Sequence, residues 1–309
     1  MGMQLSRAVV LLWVAGGCNQ AATLPAGGPP GQMMADAGGG PATGGVTFAV
    51  FGDARPKNPN DTANYPTAIV AGNFTQMQAK GAQFVVGTGD YMFADSGDAV
   101  VSAQLDLLLQ GEKNFTNGPI YHTMGNHECT GATVSNCPTG TETANVKAYL
   151  ARLVPEGVTT PYFRIDVDTA HGKAKLVFVA ANAWSDAQAT WLQQQMADPT
   201  TYTFVVRHEA ASLTDVPGVS PSEAIIGTAP LTLELLGHSH EYRKLDAQHV
   251  ISGNGGAPIS SGGKGGSSGY GFLLIQELDS GDLAVSEVDE VTGNVIDTWK
   301  VTADGRPGT

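Results

Sequence analysis

Basic residues are scarce in this 309-residue chain: 16 Lys and Arg stand against 29 Asp and Glu, a net charge of −13. Such a surface keeps a protein soluble and repels polyanions, and it lacks the basic stripe of a nucleic-acid-coating protein. The aromatic–basic groove of a surface nuclease is missing as well. A phosphate substrate is not excluded, because bound cations reverse the local sign inside a cleft. No run is long and apolar enough to span a bilayer as a mature helix: residues 8–15 (AVVLLWVA) fall well short. There is no internal repeat at solenoid spacing and no G-x-S-x-G nucleophile elbow. The glycine-rich stretch 252–271 is not a phosphate loop, because Gly265 follows Lys264 and Pro258 stands where the first glycine belongs. Only 3 cysteines are present.

What the chain does have begins at its N-terminus. Arg7 and the apolar run after it suit a secretion signal. Ala15, Gly16 and Gly17 then lead into Cys18, a pattern that resembles a bacterial lipobox, with Ala15 where Leu is usual. The resemblance implies an exported protein whose lipidated Cys18 anchors it to a membrane at the periplasmic or cell surface; ordinary secretion is the alternative. Export also permits a disulfide between Cys129 and Cys137 in the loop CTGATVSNC, against the alternative of two free thiols. The expected organisation is a signal and lipobox over 1–18, a flexible Gly/Pro/Ala-rich tether over 19–45, one catalytic domain over 46–302, and a C-terminal tail over 303–309. The apolar content of 42% is enough for a sizeable core.

From residue 46 onward, short apolar runs alternate with helical patterns and the chain ends strand-rich, which predicts an α/β (α+β) fold: sheets covered by helices. The polar residues that stand out lie just past the ends of those runs. They are Asp53 and Arg55 in GDAR, Asp90 in GTGD, Asn126, His127 and Glu128 in GNHE, His208 in RHE, and His238 and His240 in GHSH. Loops leaving strand ends converge on one crevice, so these segments are candidates for a single site. Carboxylate, amide and imidazole donors together suit Zn, Fe, Mn or similar ions. Two such ions close together would stabilise the attacking and leaving oxygens of an in-line displacement at phosphorus.

In their order, D-x-R, G-D, G-N-H-E, H and G-H-x-H, these segments resemble the calcineurin-like metallophosphoesterase superfamily over roughly 46–302. The resemblance implies a two-sheet β-sandwich flanked by helices and a dinuclear site. Asp53 and His240 would bind the first metal, Asp90 would bridge, and Asn126, His208 and His238 would bind the second. His127 would be the outer-sphere histidine that protonates the leaving group or steadies the transition state, with Glu128 anchoring it. The implied reaction is hydrolysis of a small-molecule phosphate ester by a metal-activated hydroxide. Two departures stand out. The family's D-x-H histidine is Arg55, which cannot ligate a metal. It is expected either to fork onto substrate phosphate or to pair with a carboxylate. Phe93 stands where the purple acid phosphatase branch has a metal-binding Tyr. The alternative reading is a catalytically impaired, phosphate-ligand-binding member of the same fold.

Of the remaining residues, His122 is expected to be packed or hydrogen-bonded and His171 to be solvent-exposed in a turn. Tyr91, Trp184 and Trp191 are expected to pack. Asn254, in the glycine-rich stretch, is a candidate for the cleft lining.

Overall fold

Residues 46–51 (VTFAVF) show no polar alternation because both faces of the strand they form are buried. In β2 (Thr47–Phe51), Phe48 and Val50 enter one apolar layer while Ala49 and Phe51 enter another. The same holds along β7 (Tyr202–Arg207), where Phe204 and Val206 face one layer and Val205 the other. Strands covered on both faces read as continuous apolar runs.

The computed structural model describes residues 35–36, 45–95, 98–130, 137, 143–211, 216–260 and 269–308. The segment 1–18, with Arg7 and Cys18, and all of the 19–45 tether except 35–36 and 45, lie outside the described residues, as does Lys264. The described residues belong to one unit, Gly31–Thr309. No helix among them is long and apolar enough to cross a membrane.

One sheet has the order β13-β12-β11-β2-β3-β4. In it β2, β3 (Phe84–Gly87) and β4 (Ile120–His122) run parallel, and β11 (Gly271–Glu277), β12 (Leu283–Asp289) and β13 (Val295–Val301) extend it antiparallel. The other has the order β1-β5-β6-β7-β8-β10-β9. Its members are β1 (Ala35–Asp36), β5 (Phe163–Thr169), β6 (Gly172–Val179), β7, β8 (Leu233–Leu236), β9 (Tyr242–Lys244) and β10 (His249–Ser252). Their inner faces share one core, in which Phe48, Phe84 and Tyr121 meet Phe163, Phe178 and Phe204. On one outer face, α1 (Thr67–Ala79), α2 (Asp98–Glu112) and α4 (Ala144–Arg152) pack through Phe74, Leu105 and Tyr149, the single turn α3 (His127–Thr130) preceding α4 in the chain. On the other, α5 (Asp186–Ala197) and α6 (Val219–Ile226) pack through Trp191, Leu192 and Ile226. The expected two-sheet sandwich flanked by helices is the architecture found.

Local signals place several of these helices. Ser185 caps α5 by accepting from Gln188 N at 3.2 Å, and Asp186 supplies the acidic first turn. Thr143 caps α4 in the same way through Val146 N. α6 carries Pro221 in its first turn, where a missing N–H costs no helical bond.

The two sheets are clasped by one carboxylate. Glu277, the last residue of β11, accepts hydrogen bonds from Val46 N, Ala170 N and His171 N at 2.9–3.0 Å and from Tyr202 Oη at 3.2 Å, and it pairs with His171 Nδ1 at 2.9 Å. His171 is solvent-exposed in its turn, as expected, yet its ring is tied to Glu277 and to the Asp279 carbonyl. Burial pushes the Glu277 carboxyl up, but the bonds from Val46, His171 and Ala170 outweigh burial and hold it at about 2, below the usual 4.5. A depressed carboxylate stabilises the fold above its unfolded value, and that contribution is lost as pH falls through the folded one. Glu277→Gln is expected to cost about 2 kcal/mol at pH 7. Urea denaturation at pH 7, 4 and 3 checks this: the deficit should shrink below about pH 4.5, and a deficit independent of pH contradicts the account.

Candidate metal centre

Five parallel strands deliver the predicted residues to one place. Asp53 follows β2, Asp90 follows β3 and Asn126 follows β4, while His208 follows β7 and His238 and His240 follow β8. The loops at these strand ends meet across the two sheets. His208 Nε2 lies 3.2 Å from Asp90 Oδ1 and 3.2 Å from Asn126 Oδ1. His238 Nδ1 lies 3.1 Å from Asn126 Oδ1 and 3.3 Å from His208 Nε2. His238 N donates to Asp53 Oδ2 at 2.9 Å, and His240 Nε2 lies 3.5 Å from Asp53 Oδ1. Two groups have ligand atoms within 4.8 Å of one another: Asp90–His208–His238 and Asp53–Asp90–His240.

The backbone is bent to achieve this. Among the described residues, the non-glycine positions with positive φ are Asp53 (56°), Asn60 (61°), Asp90 (61°), His238 (71°) and His240 (44°). All but Asn60 are candidate ligands. The left-handed region costs an L-residue about 1–2 kcal/mol, least for Asp and Asn, and it turns each side chain inward from a strand that has just ended. The glycines of the motifs supply room. A Cβ on Gly89 (φ +109°) would sit 2.5 Å from His208 Nδ1, and one on Gly125 would collide with Asp90 Oδ1.

The donor set on the Asn126 side fits a cation. His208 Nδ1 lies 2.7 Å from the Thr88 carbonyl, so that nitrogen carries the proton and donates it. Nε2 then faces Asp90 Oδ1, Asn126 Oδ1 and His238 Nδ1. Burial lowers His208, but the Asp90 charge outweighs burial and raises the ring well above the usual imidazole value. This point therefore favours a positive charge, a proton on the free ring or a bound cation in its place. Burial, followed by the neighbouring His208, lowers His238 to about 4. Burial and then Arg55 lower His240 to about 4. Both rings are therefore neutral at pH 7, the form that ligates. Burial raises Asp90, but His127, His208 and Arg55 around it outweigh burial and hold it well below the usual carboxylate range. Burial raises Asp53 well above that range, since Arg55 and His208 offset it only in part.

Arg55 does not reach outward. Its Nη2 lies 2.9 Å from His240 Nε2 and its Nε 3.5 Å from Asp90 Oδ2, while Nη1 donates to Pro56 O at 3.2 Å. Its guanidinium lies 4.5 Å from the centroid of the Phe93 ring, and Phe93 in turn meets the His127 ring edge-on at 4.4 Å. His127 is buried, with Nε2 3.6 Å from Asp90 Oδ2 and Nδ1 without a hydrogen-bond partner. Burial and then Arg55 lower it to about 4, the Asp90 charge offsetting this only in part.

Glu128 does not anchor His127. Its carboxylate takes the amides of Asp90 (2.8 Å), Tyr91 (2.7 Å) and Gly125 (2.9 Å), and so binds the Asp90 loop to the Asn126 loop. Asn254 is not a cleft residue: it is buried and donates to Glu287 Oε1 and Gly269 O. Its neighbours instead brace the site, Gly255 N on Gly52 O and Ala257 N on Asp53 O. His122 pairs with Glu112 at 2.8 Å, Tyr91 is buried, and Trp191 packs on Tyr162. A disulfide joins Cys129 to Cys137. Sequence reasoning missed Tyr65, whose hydroxyl proton is shared between the carbonyls of Ala54 at 2.5 Å and Tyr91 at 2.9 Å and so fixes the spacing of the Arg55 and Asp90 loops.

No protein-family model matches the chain, and no curated protein matches it in sequence. Solved structures do. A purple acid phosphatase isolated from yellow lupin (Lupinus luteus) seeds superposes with a TM-score of 0.60 at 13% identity, covering 85% of this chain and 56% of that one. The chain thus spans little more than half the length of the lupin protein. A dimetal phosphatase from Danio rerio gives 0.56 at 11% identity, covering 84% of this chain and 99% of that one. PhoD gives 0.55 at 10%, covering 87% and 73%. The fold is that of the calcineurin-like metallophosphoesterases.

Removing the Glu128 carboxylate should leave three buried amides unpaired. Glu128→Ala is expected to cost about 3 kcal/mol in thermal or urea unfolding and to weaken metal binding about tenfold to a hundredfold. Unchanged metal affinity in a folded variant contradicts this positioning role.

Proposed function

We propose that the protein hydrolyses a small-molecule phosphate ester, a phosphomonoester or phosphodiester, in a metal-dependent reaction at the strand-end cluster. The observation that carries the reading is the convergence of Asp90 Oδ1, Asn126 Oδ1, His208 Nε2 and His238 Nδ1, with the opposite nitrogen of His208 committed to Thr88 O. Oxygen and imidazole donors without thiolate suit Zn, Mn, Fe or similar ions. When bound there, such a cation supplies Lewis acidity to a phosphoryl oxygen and acidifies a coordinated water.

The rest of the reading concerns the chain's own groups. Asp90, bent inward, faces the cluster with Oδ1 and faces Arg55 and His127 with Oδ2. His127, which burial keeps neutral near pH 7, stands where its ring N–H steadies an oxygen of a phosphoryl group. The Arg55 charge, held beside it, favours binding of the phosphate dianion despite the overall acidity of the protein. We also propose that the chain acts outside the cytoplasm, tethered through Cys18 or secreted, which suits a disulfide-linked site wall.

Purified protein should turn over a generic aryl phosphate or bis-aryl phosphate, lose that activity on chelation, and regain it with Zn, Mn or Fe. His208→Ala should lower kcat/KM a hundredfold or more. Turnover indifferent to chelation contradicts the proposal. Metal binding without turnover on either substrate favours the phosphate-binding alternative, for which the placement of Arg55 on Asp90 and His240 is the supporting observation.

A further inference from the structure

The Asp53 side of the cluster differs from the Asn126 side in that its donors face a guanidinium, whereas on the Asn126 side Asp90 Oδ1 accepts the His127 amide at 3.1 Å and faces His208. His240 Nδ1 lies 3.2 Å from the Pro258 carbonyl and donates to it, so the lone pair of the ring is on Nε2. That lone pair receives Arg55 Nη2–H at 2.9 Å. Asp90 Oδ2, the oxygen facing away from the Asn126 side, is met by Arg55 Nε at 3.5 Å. In the Asp53–Asp90–His240 group, the His240 lone pair is thus bonded to Arg55 and Asp90 Oδ2 faces the Arg55 charge, while Asp53 Oδ1 has no hydrogen bond and lies 3.5 Å from His240 Nε2.

Arg55 is not a mobile surface side chain that a metal could push aside at no cost. Its side chain is 11% exposed, and its guanidinium is fixed by the Pro56 carbonyl, by His240, by Asp90 and by the Phe93 ring at 4.5 Å. The sequence has Arg55 where the metallophosphoesterase pattern has histidine and Phe93 where its purple acid phosphatase branch has tyrosine, and the structure puts the two in contact. Neither side chain can ligate a metal; together they make a socket for a guanidinium. A divalent ion added there would sit against a permanent positive charge at close range and low exposure, where Coulomb repulsion is strong.

We infer that this site takes one metal ion, held by Asp90, Asn126, His208 and His238, and that the Arg55 guanidinium occupies the other half as a built-in cation. The inference rests on the metal-dependent reading above and narrows it to a mononuclear centre. Arg55 supplies fixed charge and N–H donors to a phosphoryl oxygen on that side; a guanidinium has no accessible empty orbital with which to act as a Lewis acid. The substrate phosphate therefore lies between one metal and one arginine.

The test is metal stoichiometry on the full-length chain, by elemental analysis after loading with Mn²⁺ or Zn²⁺ and by calorimetric titration with the metal alone. Arg55→Ala, Arg55→His and Arg55→Lys are measured alongside, with circular dichroism to verify folding. The expected result is one equivalent in the wild type and in Arg55→Lys, and two in Arg55→Ala and Arg55→His. Spin-coupled Mn²⁺ pairs should be visible by electron paramagnetic resonance only in the last two. Two equivalents in the wild type overturn the inference and leave metal-dependent hydrolysis standing. No bound metal in the wild type overturns both. One equivalent in every folded variant also overturns it, because Arg55 is then not what excludes the second ion. Should none of the variants fold, the wild-type count alone decides between one ion and two.

Discussion

A single buried carboxylate organises this molecule's functional end. Asp90 is almost wholly inaccessible, and a charge so placed survives only where others compensate it. Arg55, His127 and His208 approach its side chain from three separate loops. Its own amide is held by Glu128, its backbone is forced to φ 61°, and Gly125 is bare so that its carboxylate can lie against the Asn126 loop. Each of these features is costly alone. Together they form a set in which removing one member exposes the others, which is why the loops around Asp90 are fixed more tightly than their lack of regular structure suggests.

The strain is borne by the sandwich. Left-handed backbone at Asp53, Asp90, His238 and His240 is unfavourable for each residue, and nothing local repays it. What holds those turns is that each begins at the end of a strand buried on both faces, whose position is set by the aromatic layer between the sheets. β2, β3 and β4 in one sheet and β7 and β8 in the other are parallel, so their ends face the same way. Rigid parallel strands delivering irregular, strained turns is a division of labour in which packing energy maintains a geometry that the turn residues would not choose.

Much of this was legible in the chain because buried parallel strands announce themselves. Apolar runs stopping at Gly-Asp, Gly-Asn-His-Glu and Gly-His-Ser-His mark both the strand and its functional end, and six of the polar residues so marked lie in the cluster. Other features were illegible for physical reasons. Pro221 reads as a breaker, yet α6 accepts it in its first turn, where no hydrogen bond is lost. β9 is three residues long and leans on β10 for its pairing. Glu128 follows His127 directly, and adjacency suggested contact; but neighbours on a helical turn point about 100° apart, so Glu128 faces the Asp90 amide instead. Asn254 sits in a glycine-rich stretch that looks like a ligand loop, while its partner Glu287 lies 33 residues away on β12, beyond the reach of any local pattern.

Arg55 shows where sequence reading stops. Its identity rules out ligation, but whether it points to substrate, solvent or carboxylate depends on Phe93, Pro56 and His240, which arrive from different segments. The chain repeats the arrangement elsewhere. Glu223, Glu234 and His249 also have ligand atoms close enough for a cation, and there Arg207 Nη2 lies 2.7 Å from both glutamates. In that second cluster the guanidinium neutralises the buried Glu234 and the part-exposed Glu223 and so joins β7 to β8 and α6. The comparison separates what a guanidinium shares with a metal ion from what it does not. Both offset buried negative charge and both organise oxygen donors around a centre. Only the metal accepts a lone pair, and the Asn126 side of the strand-end cluster brings Asn126 Oδ1, Asp90 Oδ1, His208 Nε2 and His238 Nδ1 toward one point with no guanidinium among them. The asymmetry between the two sides of Asp90 is therefore chemical as well as geometric: one side is built to receive a Lewis acid, the other already contains its positive charge.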